Sequence, residues 1–119
     1  MAKKSILYPK AITGQSLSAS FQGTAYPTET LDNLCYQIVV TTSDSQGTFS
    51  ILASNDGVNF DAVTLGGSNS GIPTVAAANT TISININQWP YAYVALNYTS
   101  TTAGTGTCSI AFGAKQIGG

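Results

Sequence analysis

From Thr80 to Asn87 the chain reads T-T-I-S-I-N-I-N, a stretch in which apolar and polar side chains alternate almost without fault. A period of two puts Ile82, Ile84 and Ile86 on one side of an extended strand and Thr81, Ser83, Asn85 and Asn87 on the other, which a helix with its 3.6-residue period cannot do. The same period recurs along the chain. Between Asn33 and Thr42, Leu34, Tyr36, Ile38 and Val40 oppose Cys35, Gln37, Val39 and Thr41. Phe49, Ile51 and Ala53 line one side of the next run, and Ala62 to Leu65 continues it briefly. From Tyr91 to Tyr98, Tyr91, Tyr93, Ala95 and Asn97 oppose Ala92, Val94, Leu96 and Tyr98. In the last run Cys108, Ile110, Phe112 and Ala114 oppose Thr107, Ser109, Ala111 and Gly113. Ser16 to Phe21 alternates weakly as a first strand. No stretch carries a helical stripe, and Ala76-Ala77-Ala78 is too short to nucleate a helical turn alone.

Between these runs lie turn residues: S-D-S-Q-G at Ser43 to Gly47, S-N-D-G at Ser54 to Gly57, and G-G-S-N-S-G-I-P-T at Gly66 to Thr74, the last a surface loop. Strands at this spacing predict an all-β fold, an antiparallel β-sandwich or jelly-roll-like arrangement of about seven to eight strands. A chain of 119 residues suits one domain. Patterning is weakest from Met1 to Phe21, so the expected organisation is an N-terminal arm over residues 1–14 that orders on a partner, then a single sandwich domain over 15–119.

The surface this fold would present is short of charge. Charged residues make up 8% of the chain, against about 25% in ordinary globular proteins. Four lysines and five acidic residues leave a net charge of -1, with no histidine. Low net charge favours association, and faces of hydroxyl and amide groups desolvate against a neighbour at lower cost than Lys or Glu. The composition therefore points to a subunit of an assembly, with a Thr-rich and Asn-rich adhesive or sugar-binding module as the alternative.

The same composition narrows the chemistry. General acid-base catalysis most often uses His, and a zinc site in its usual forms needs more Cys or His than this chain has. No phosphate-cradling loop is present, because the glycines at 66, 67 and 71 are followed by neither Lys nor a helix. Asp56, Asn59 and Asp61 are weak candidates for calcium. Their order does not match an EF-hand loop, and calcium takes roughly six to eight oxygens, so S-N-D-G is expected to be a tight hairpin turn. Asp56 and Asp61 as a glycosidase pair would sit on a short turn with no cleft, and no catalytic or cofactor-binding residue is expected.

Interface candidates come from two places. Lys3, Lys4 and Lys10 make the start of the chain basic, but without Arg or interleaved aromatics they give no footprint of specific nucleic-acid recognition. Trp89, Tyr91 and Tyr93 form an aromatic group that is expected in the core or at a subunit contact, with a stacking platform for a host-surface glycan as the alternative; Tyr98 falls on the opposite side of their strand. Cys35 and Cys108, the two thiols, are expected reduced. Pro9 and Lys10 interrupt the apolar stretch after Met1, so no export signal is expected, and no run reaches membrane-spanning length.

Q-G-T-F-S-I-L-A-S-N-D-G-V-N-F-D-A-V (Gln46 to Val63) and Y-A-Y-V-A-L-N-Y-T-S-T-T-A-G-T-G-T-C-S-I-A-F-G-A-K-Q (Tyr91 to Gln116) resemble small bacteriophage virion structural proteins, β-sandwich proteins of the capsid or tail with a G-T-F-x-x-x-x-S-N-D-G pattern. The resemblance covers roughly the last two-thirds of the chain and is carried by turn and strand signatures. It implies a role in a phage particle as a capsid-decorating, vertex, neck or tail component. Its partners would be copies of itself and other virion proteins such as the major capsid or tail proteins, after synthesis in the host cytoplasm. A receptor-binding or carbohydrate-binding module is the alternative.

Overall fold

The computed structural model describes residues 5–28, 31, 33–63, 74–86 and 89–115, with the backbone alone for residues 5–11. Among these residues ten strands follow in order: β1 (Ser5–Ser16), β2 (Phe21–Gln22), β3 (Tyr26–Pro27), β4 (Asn33–Thr41), β5 (Gln46–Ser54), β6 (Asp61–Val63), β7 (Thr74–Ala76), β8 (Thr80–Ile86), β9 (Tyr93–Thr102) and β10 (Thr107–Lys115). They form two antiparallel sheets packed face to face. The first runs β1-β10-β4-β8; the second runs β2-β9-β5-β6, with β3 also on β9 and β7 also on β5. The expected all-β antiparallel sandwich is the fold observed. There are more strands than expected because β2, β3, β6 and β7 are only two or three residues long, too short to show a period.

The alternation names the core. Leu34, Tyr36, Ile38 and Val40 of β4, Cys108, Ile110, Phe112 and Ala114 of β10, and Ile84 and Ile86 of β8 are buried from the first sheet. Phe49, Ile51 and Ala53 of β5 and Val94, Leu96 and Tyr98 of β9 meet them from the second. Aromatic rings pack within and between the layers: Tyr26 of the second sheet stacks on Phe112 of the first with centroids 4.5 Å apart, Tyr36 tilts against the same ring at 4.9 Å from its own sheet, and Phe49 meets Tyr98 at 4.9 Å within the second. Such offset and tilted pairs add to the burial of the rings themselves.

Three expectations change. The first strand is Ser5–Ser16 rather than Ser16 to Phe21. It lies along β10 with register shifts on either side of Ile12, which is why no clean period marks it in the sequence. The last tyrosine-bearing strand begins at Tyr93, so Tyr91 precedes it in a bend. The S-N-D-G segment is not a tight hairpin. The β5–β6 ladder closes at Ala53 and Asp61; β5 runs one residue further, to Ser54 opposite Tyr93, and Asn55 to Phe60 form a broad loop. Most of the surface loop expected at Gly66 to Thr74 lies outside the described residues, and its last residue, Thr74, opens β7.

Candidate functional site

At one end of the sandwich the loop from Asn55 to Phe60 meets the segment from Trp89 to Tyr93. Ser54 and Asp56 hold the loop in shape. The Asp56 carboxylate accepts the backbone N–H groups of Val58 and Asn59 at 2.8 Å each, the Ser54 hydroxyl at 2.9 Å and the Asn59 side-chain amide at 2.8 Å. The Asn59 backbone N–H foremost, then that of Val58, holds the Asp56 carboxyl well below the ordinary carboxylate range. Gly57 supplies the left-handed turn (φ 76°), where any side chain would be strained and would crowd the Tyr93 ring. Of the weak calcium candidates, Asp56 and Asn59 are thus bonded to each other inside the loop, while Asp61 sits at the start of β6. No group of three or more Cys, Asp or Glu that could hold a metal occurs among the described residues.

The aromatic group is knitted to this loop from beneath. Trp89 is 6% exposed, and its indole N–H donates to the Thr28 hydroxyl at 3.1 Å. That hydroxyl in turn donates to the Tyr91 carbonyl at 2.9 Å, and the Asn55 side-chain oxygen accepts the Ala92 N–H at 3.0 Å. Tyr91 meets the Trp89 ring edge-on at 5.0 Å. Asn55, Trp89, Pro90, Tyr91 and Ala92 line an open notch of about 300 Å³. Tyr91 and Tyr93 are half-buried, so the group offers no broad exposed ring face. Thr28, itself buried, was not foreseen. The partners of its hydroxyl lie more than 60 residues away, and no local pattern marks it.

The opposite end is closed by a second polar knot. Buried Ser45 donates its hydroxyl to the Ala103 carbonyl and accepts the Gly106 N–H, both at 2.9 Å. Asp44 accepts the Thr105 N–H at 2.9 Å, which foremost lowers its carboxyl below the ordinary value. The Gly106 carbonyl accepts the N–H of Leu17, tying β1 to the same knot.

Between the two ends the outer face of β8, β4 and β10 is nearly free of charge. Across it run the rows Thr81–Val39–Ser109, Ser83–Gln37–Ala111 and Asn85–Cys35–Gly113, with Thr41 beside Thr107 at one end and Lys115 beside Asn33 at the other. Val39 is 46% exposed, and Cys35, two rows along the same strand, is exposed as well. Cys108 points the other way into the core, where burial pushes its thiol up to about 11. The two thiols lie on opposite faces of the sheet and do not pair with each other. Of the basic candidates, Lys3 and Lys4 lie outside the described residues. Lys10 falls within β1, its side chain undescribed. No helix among the described residues is long and apolar enough to cross a membrane.

No family model and no curated protein matches the sequence. The fold does have counterparts. The SPBc2 prophage-derived protein YomS is similar with a TM-score of 0.55 at 14% identity, over 96% of this chain and 93% of that one. The PBSX exported protein XepA is similar with a TM-score of 0.63 at 12% identity, over 97% of this chain and 39% of that one. A chain of the T13 infectious bursal disease virus particle is similar with a TM-score of 0.54 at 11% identity, over 95% of this chain and 31% of that one. At these identities the likeness is one of fold. The chain matches YomS nearly end to end, whereas it spans well under half of the other two.

Proposed function

We propose that the chain is a structural subunit of a bacteriophage virion, a capsid-decorating, vertex, neck or tail protein, and not an enzyme. It acts by binding copies of itself and other virion proteins such as the major capsid or tail proteins. The observation that carries this reading is the outer face of β8, β4 and β10, whose three central rows hold no ionised side chain and expose Val39 and Cys35 among Thr, Ser, Gln and Asn. A neighbour can cover such a face without desolvating charge, and interface cores are depleted of charge in the same way. The end-to-end likeness in fold to a prophage-derived protein, and the partial likeness to a chain of a virus particle, support a virion setting. The basic start of the chain, with Lys3, Lys4 and Lys10, is proposed to face an acidic neighbour in the particle.

A receptor-binding or glycan-binding role would use the notch beside Trp89. The indole is buried there with its N–H held by Thr28, so the ring is committed to the fold rather than presented for stacking on a sugar. Mass spectrometry of purified particles of the phage that encodes the chain tests the structural role. The protein is expected in a fixed ratio to the major capsid or tail protein; its absence from intact particles would refute the proposal.

A further inference from the structure

The edges of the two sheets are not alike. A sheet edge displays unpaired backbone N–H and C=O groups, and proteins blunt such edges with short strands, bulges, prolines and lysines. The second sheet ends in β2 and β6, two and three residues long. The first sheet ends on one side in β1, which carries Pro9 and Lys10, two register shifts and a left-handed Gly14. Its other edge, β8, has none of these. It is seven residues of Thr, Ile, Ser and Asn in unbroken register with β4, and among the described residues it pairs with β4 alone.

We propose that β8 is the site at which two copies of this chain join, edge to edge and antiparallel, about a two-fold axis through Ser83. The proposal rests on the assembly reading above and names its contact. T-T-I-S-I-N-I is nearly self-complementary in this register. Ile82 lies opposite the partner copy's Ile84, Thr81 opposite Asn85, and Ser83 opposite Ser83. Residues directly opposed in an antiparallel pair point to the same face, so both isoleucine rows stay on the core side and the hydroxyl and amide rows stay outside. Ile84 and Ile86 are already buried, while Ile82 is only half-buried at the open edge, where the second copy's Ile84 would cover it. Neither β8 nor β4 behind it carries a charge, so nothing repels at the axis. The two four-stranded sheets become one of eight, and an isologous contact of this kind closes on itself as a dimer.

Ser83 is exposed and lies on the axis, so one substitution is read twice in the dimer. Light scattering and sedimentation of purified Ser83→Lys and Ser83→Glu, alone and mixed, test the contact, with β-sheet circular dichroism confirming that each is folded. Like charges directly opposed destabilise a strand pair, so each variant alone is expected to associate at least about tenfold more weakly than the parent, and an equal mixture to recover the parent mass. As a second measurement, Ser83→Cys in a Cys35→Ser background is expected to form an intermolecular disulfide on oxidation, because opposed Cα atoms in an antiparallel pair lie about 4.5–5.5 Å apart. If both charged variants keep the parent mass and the Ser83→Cys chains do not cross-link, the contact is elsewhere and only this proposal falls. If the parent itself is solitary at every concentration, the β8 contact is overturned while the particle measurement still decides the virion role.

Discussion

Tyr36 carries a hydroxyl into the core, and among the described residues it meets no hydrogen-bond partner there. Burial, with the Tyr26 phenol nearby, pushes its ionisation far above the ordinary tyrosine value, so the group stays neutral and unpaired. The ring packs against Phe112, and that packing does not need the oxygen. Tyr36→Phe is therefore expected to raise stability by about 1 kcal/mol in urea unfolding, since an unpaired buried hydroxyl costs the fold its desolvation. A loss of similar size would show that the hydroxyl is bonded. At this scale the sequence was informative wherever a residue's place follows from its neighbours two positions away, as with Tyr36, Phe49, Ile84 and Phe112. It was silent on Thr28 and Ser45, whose hydroxyls are placed by chain segments some 60 residues distant.

Among the elements, the long strands were legible and the irregular ones were not. β4, β5, β8 and β10 each bury one alternating row, and the row is written in the sequence. β1 hides because register shifts around Ile12 break its period, although its backbone follows β10 from Ser5 to Ser16. The S-N-D-G loop was recognisable as a turn from its Asn, Asp and Gly. Its width was not, because that depends on Asp56 drawing in the N–H groups of Val58 and Asn59 rather than on φ preferences alone. Asp44 plays the same part at the opposite end by accepting the Thr105 N–H. Both carboxyls are held below their ordinary value, so the fold favours their charged forms. That contribution is complete above the unfolded value near pH 4 and is lost as the pH falls through the lower folded values. The melting temperature is expected to be level near neutrality and to fall in acid below about pH 4, and the double variant Asp44→Asn, Asp56→Asn to show a shallower fall from a lower plateau. An acid limb unchanged in that variant would place the titrating groups elsewhere.

For the molecule as a whole, scarcity of charge and a sandwich fold belong together. The sheets bury their inner rows against each other, and what remains outside on β8, β4 and β10 is uncharged in its three central rows, beside a β8 edge that among the described residues pairs with β4 alone. The sequence announced the scarcity of charge and the alternation. It could not say which edge is left open, because that depends on strand order, and strand order follows from pairings between segments far apart in the chain. Native mass measured through a dilution series of the purified protein tests the central claim, self-association, most directly. The account predicts defined oligomers at micromolar concentration that separate on dilution or are held together throughout; a single-chain mass at every concentration, up to the highest the protein will reach in solution, would contradict it.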